Sequence, residues 1–165
     1  MIRPCARILS KESLSPKRWK ELVGRGGNIG DTIDFHSDHQ LLVLSHSPRH
    51  YTELGRLVAN AKRIRMERLQ RTYLEIMMDG LKLLATVKKN TRVLHHVMGY
   101  FDGHLHPDQK KELMETINGY HKGSFPLIVP ITLLKYYVRA CNQSHLARQY
   151  YLNRDLVEPQ LGNHA

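Results

Sequence analysis

From Asp31 onward, apolar residues recur at the three- and four-residue spacing of helices. Residues 32–45 carry Phe35, Leu41, Leu42 and Leu44, and the run at 41–45 also allows a short strand. Ser47 followed by Pro48 reads as an N-cap with proline at the first helical position. The helix that starts there places Tyr51, Leu54, Leu57, Val58, Ala61 and Ile64 on one side. A long helix is predicted next, with Met66, Leu69, Tyr73, Ile76, Met77, Leu83, Leu84 and Val87 in register. Asn90 or Thr91 then caps a helix bearing Val93, Leu94, Val97, Met98 and Phe101. His106-Pro107 opens another, with Leu113, Met114 and Ile117 inward and Gly123 just past its end.

The segment from Ser124 to Arg139 has two prolines four residues apart, a pattern that would break a helix interior. Placed at the entrance they do no harm: Pro126 closes the preceding turn and Pro130 lies in the first helical turn. Leu127, Ile131, Leu134 and Val138 then line one face. Ser144 is predicted to cap a short segment through Tyr151. Before Asp31, Ser15 and Pro16 suggest a short helix through Val23, and Gly24 to Gly30 reads as a flexible linker. No alternation of period two persists, so the expected fold is all-α: a single-domain bundle of about six or seven helices with short loops. The predicted organisation is an N-terminal extension over 1–30, a helical domain over 31–158 and a loose tail over 159–165.

The 165 residues allow one domain with a real core. Lys and Arg number 25 against 15 Asp and Glu, a formal net charge of +10. That excess favours a polyanionic partner, nucleic acid before an anionic membrane surface. Two cysteines, Cys5 and Cys141, exclude a disulfide framework and a four-cysteine metal site, and fit a reducing compartment. With neither a secretory signal nor an apolar run long enough to span a bilayer, the expected location is the cytoplasm.

The densest cations are Arg56, Lys62, Arg63, Arg65, Arg68 and Arg71, flanking a helix junction with only Glu67 between the first and last of them. Such a cluster suits a phosphate backbone, and a solvated polar face is its alternative. Lys88, Lys89, Asn90 and Arg92 lie where one helix is expected to end and another to begin. There, cations either answer the helix dipole or join free amides around a phosphate. Lys135 and Arg139 lie beside Tyr136 and Tyr137, with Arg148 beside Tyr150 and Tyr151; aromatics among cations can stack unpaired bases. The alternative for each tyrosine pair is one core and one surface member.

His95, His96 and Tyr100 are the candidate catalytic groups, being types suited to acid–base work. One buried and one exposed histidine is the plainer reading of the His pair. His36 and His39 share a helix face, but a metal site there needs a third ligand, Asp38 or His46. No catalytic or metal motif is present, and no cofactor or metal is expected. A phosphate-cradling loop at 24–30 matches neither glycine fingerprint.

The runs FHSDHQLL from Phe35, HSPRHY from His46 and LGRLVA from Leu54, then KKNTRVLHHVMGYF from Lys88 and PLIVPITLLK from Pro126, resemble the YbgA family. The resemblance covers about residues 33–158. It implies a helical domain of unknown function found alone or fused behind a TudS-type desulfidase domain, which removes sulfur from thiolated uracil with an iron–sulfur cluster. In fused forms the helical domain is thought to help hold thiolated tRNA. The cluster cysteines belong to the partner and are not in this chain, so desulfuration by this chain alone is not implied. The expectation is a non-catalytic module that binds RNA, tRNA above all, and serves a desulfidase acting in trans. The alternatives are a small enzyme using Lys89, Asn90, His95, His96 and Tyr100, or a protein–protein adaptor with an apolar surface.

Overall fold

A computed structural model of the chain describes residues 14–154. Cys5 and the expected tail at 159–165 lie outside them. The described residues are all-α: α1 (Leu14–Gly24), α2 (Ile29–His46), α3 (Pro48–Ala59), a 3-10 turn (Ala61–Arg63), α4 (Met66–Leu81), α5 (Val87–Gly99), α6 (Pro107–His121), α7 (Ile128–Ala140), α8 (Ser144–Ala147) and α9 (Tyr150–Asn153). They fall into two compact units, one ending at Val93 and one beginning at Leu94.

In the first unit α2 is the central element, packed on α1, α3 and α4. Every residue from Leu41 to Ser47 is buried. A helix enclosed on all sides needs no polar face, which is why this run also fitted a strand. Ser47 caps α3 as expected: its hydroxyl accepts from the His50 N–H at 3.3 Å, with Pro48 in the first turn. His50, near the start of α3, faces Gly80 near the end of α4, so the two helices run antiparallel.

The glycine-rich segment is a tight turn rather than a flexible linker. Gly26 has φ 75°, a left-handed conformation suited to glycine. Asn28 and Asp31 cap α2 reciprocally: the Asn28 side chain accepts from the Asp31 N–H at 3.0 Å, and the Asp31 carboxylate from the Asn28 N–H at 2.8 Å. Gln70 of α4 donates to the Gly27 carbonyl at 3.1 Å and holds the turn from across the unit. Trp19 of α1 is buried, stacked on Tyr73 at 4.6 Å and edge-on to Phe35 at 5.0 Å. The boundary expected at residue 30 therefore falls inside a packed unit.

Three expected helices have different bounds. The helix from Pro48 stops at Ala59, and Ile64 follows the 3-10 turn, half-buried. The long helix ends at Leu81, so Leu83, Leu84 and Val87 are exposed rather than in register. Thr86, not Asn90 or Thr91, caps α5, its hydroxyl accepting from the Lys89 N–H at 3.2 Å. Asn90 and Thr91 are buried in the first turns.

In the second unit α6 packs on α7, α7 on α8, and α8 on α9. Gly123, at φ 81°, ends α6 as expected, with Ser124 N–H bonded to the Gly119 carbonyl and Gly123 N–H to that of Tyr120. Pro130 lies in the first turn of α7, and Leu127, Ile131, Leu134 and Val138 are buried. Met114 is exposed, against the inward position expected of it. Among the described residues no helix is long and apolar enough to cross a membrane.

Candidate nucleic-acid interface

The corner between α3 and α4 is built from local bonds. The Asn60 side chain donates to the Arg56 carbonyl at 2.9 Å, and the Asn60 main-chain carbonyl accepts from the Arg63 N–H at 2.9 Å. Ile64 N–H then bonds to Ala61, and Leu69 N–H to the carbonyl of Arg65, which starts α4 in an extended conformation. The apolar anchors are Ala61 and Leu69, both buried. Their burial turns the remaining side chains outward: Arg56, Lys62, Arg63, Arg65, Arg68 and Arg71 are all exposed. Among the described residues no carboxylate is ion-paired with any of the six. Glu53, the nearest acid before them, is taken by Arg49 at 3.1 Å. Six uncompensated cations on one turn and its flanking helices attract phosphates and release counterions on binding.

The second expected cluster divides. Lys88 and Arg92 are exposed. Lys89 is half-buried and its ammonium donates to the carbonyls of His46 at 2.6 Å and Leu84 at 2.9 Å. It serves the C-terminus of α2, where carbonyls lack helical partners, and is not a free phosphate ligand. Asn90 donates to the Thr86 carbonyl at 3.2 Å from within α5. On α7, Lys135 is half-buried and Arg139 exposed. Tyr137 is buried, its hydroxyl donating to Glu112 at 3.3 Å, while Tyr136 is exposed. Burial first, then Glu112, raises the Tyr137 pKa.

His95 and His96 are both exposed, against the expectation of one buried member. His96 lies edge-on to Tyr100 with ring centres 5.6 Å apart, and His145 of α8 is 5.8 Å from the same phenol. Neither described cavity is lined by His95, His96 or Tyr100.

His36 and His39 share a buried face, with the Nδ1 of each ring engaged. His36 Nδ1 is 3.1 Å from the Tyr73 hydroxyl, and His39 Nδ1 donates to the Phe35 carbonyl at 2.8 Å. Burial, then the neighbouring His39, lowers the His36 pKa to about 4, so the imidazole stays neutral. Burial also lowers that of His39, against the bond to Phe35. Burial raises Tyr73. Among the described residues no group of three or more His, Cys, Asp or Glu is placed to hold a metal.

One feature escaped the sequence reading: a cleft of about 630 Å³ between α1 and α2. Arg18, Glu21 and Arg25 line one wall, and Asp31, Asp34 and Asp38 the other. Both sets follow i, i+3, i+7 spacing, which is the signal that could have shown it. Four carboxylates against two guanidiniums make it a poor seat for phosphate.

Comparison with known proteins agrees with the resemblance. The chain is 30% identical over 131 residues to "Uncharacterized protein YbgA" of Escherichia coli (strain K12), an alignment covering 79% of this chain and 78% of that protein. No solved structure matches. The family described as "Protein of unknown function (DUF1722)" matches residues 40–155, from the buried half of α2 through α9. With most of the chain matched on both counts, this protein belongs to the DUF1722, or YbgA, family.

Proposed function

We propose that this protein is a non-catalytic RNA-binding module, with tRNA as its ligand, acting in support of a desulfidase supplied in trans. The observation that carries the binding is the corner of α3 and α4: six exposed cations, one intervening carboxylate and no described ion pair. Surface arginines without partners gain nothing for folding from such crowding, whereas a phosphate backbone uses all of them. The choice of tRNA and of a desulfidase partner follows the family resemblance. Electrophoretic mobility shift with tRNA tests the site. Arg65→Gln with Arg68→Gln should weaken binding by more than Lys110→Gln with Lys111→Gln, whose lysines already pair with Asp102 and Glu115. Equal losses would mean diffuse attraction and no site.

A second reading, a protein adaptor, is favoured by one observation. Ile128, Val129 and Tyr136 are exposed along a groove of about 470 Å³ between α6 and α7. Lining by Thr116, Thr132 and Glu112 makes that groove mixed rather than apolar throughout.

A further inference from the structure

We infer that Tyr100, with His96 and His145 around it, forms a stacking seat for an unpaired base. This inference rests on the RNA-binding reading and adds to it a class of ligand: RNA with single-stranded bases, not a plain duplex.

Tyr100 directly follows α5, its N–H bonded to the Val97 carbonyl at 3.1 Å. Tyr100 is 39% exposed, whereas Tyr120, Tyr137 and Tyr151 of the same unit are buried. Two further exposed rings, from α5 and α8, gather around it at 5.6 and 5.8 Å. Neither lies parallel to the phenol: the planes are inclined by 79° and 48°. Among the described residues no imidazole therefore occupies the stacked geometry on Tyr100, and a flat ligand can adopt it. An unpaired base presents a π-face to the phenol and a polar edge to the His145 imidazole, which donates or accepts according to tautomer. Tyr136, the other exposed tyrosine of this unit, has among the described residues only the buried Tyr137 ring beside it and lines the mixed groove instead.

The test uses a short single-stranded RNA carrying one 2-aminopurine, and the same strand in a duplex. The native protein should quench the probe in the single strand and leave the emission of the duplex probe, already low from base stacking, unchanged. Tyr100→Leu should abolish the quench and weaken single-strand affinity by about five- to 150-fold, the range for loss of one base stack. Tyr100→Phe should retain both. As a readout needing no variant, photocrosslinking with 5-iodouridine RNA should join the peptide that holds Tyr100. Unchanged quench and affinity in Tyr100→Leu, or crosslinks confined to other peptides, overturn the seat. If the native protein still binds RNA with a strong salt dependence in that case, the arginine corner stands. If the native protein binds no RNA at low salt, both readings fall. Competition of the seat by a peptide but not by RNA would also overturn it, in favour of a protein partner.

Discussion

The ammonium of Lys89 donates to the main-chain carbonyl of His46, the last residue of α2, at 2.6 Å. A second bond, 2.9 Å to Leu84, fixes the loop between α4 and α5 on the same nitrogen. Lys89 and Lys88 are adjacent in sequence and have separate tasks. Lys89→Met removes two charge-assisted bonds from a half-buried site and should lower stability by about 1.5–3 kcal/mol in urea unfolding. Its tRNA affinity, measured well below the unfolding transition, should stay within about twofold of the native value. Lys88→Met should leave the unfolding midpoint where it is.

The glycines of α3 and α4 should respond in opposite directions to alanine. Gly55 has open space around the position of an added Cβ, so Gly55→Ala should stabilise by up to about 1 kcal/mol through helix propensity. At Gly80 the added carbon would lie 2.9 Å from the Cβ of His50, an atom fixed to the α3 backbone. Gly80→Ala should therefore lower the melting temperature despite alanine's better propensity. A rise at both positions would show that α3 and α4 are less closely apposed than described.

Histidine burial makes the first unit acid-sensitive. His36 keeps its neutral form down to about pH 4, because burial and His39 oppose its charging. The unfolded chain takes up that proton near pH 6.5, so between these values the unfolded state binds more protons. Stability is unaffected by this group above about pH 6.5 and falls with decreasing pH, the loss reaching roughly 3 kcal/mol once pH 4 is reached. His39, shifted in the same direction, adds to the slope. Stability measured from pH 7 to 4.5 should fall, and His36→Gln, which leaves a polar partner for Tyr73, should flatten the fall. An unchanged slope in His36→Gln would assign the acid sensitivity to other groups.

Trp19 lies before the residues matched by the family, yet it is buried against Phe35 and Tyr73. Trp19→Ala should cost about 3–5 kcal/mol through the cavity it leaves. As the only tryptophan, it also reports unfolding of its unit by a red shift of its emission. A variant of native stability by circular dichroism would show α1 to be dispensable.

Features written in neighbouring residues were legible before the structure. Ser47-Pro48 and Gly123 mark helix ends through bonds that span a few residues, and α7 follows from the spacing of Leu127, Ile131, Leu134 and Val138. What failed depends on partners far along the chain. The turn at Gly26 and Gly27 is held by Gln70, and Lys89 is claimed by His46, each 43 positions away. Leu83, Leu84 and Val87 continue the spacing of α4 by coincidence, and period alone cannot tell an exposed loop leucine from a core one. The arginine corner was visible because charge imbalance is a property of composition. The α1–α2 cleft was missed because its acidic and basic walls belong to two helices whose pairing no local signal announces.

The RNA-binding account is tested most directly by tRNA affinity as a function of salt, for the native protein and for Arg63→Gln with Arg65→Gln and Arg68→Gln. A phosphate-binding corner predicts a linear fall of log affinity with log salt, with a slope of several units that shrinks by about one for each arginine removed. Undetectable affinity at low salt, or a slope indifferent to the three substitutions, would contradict it.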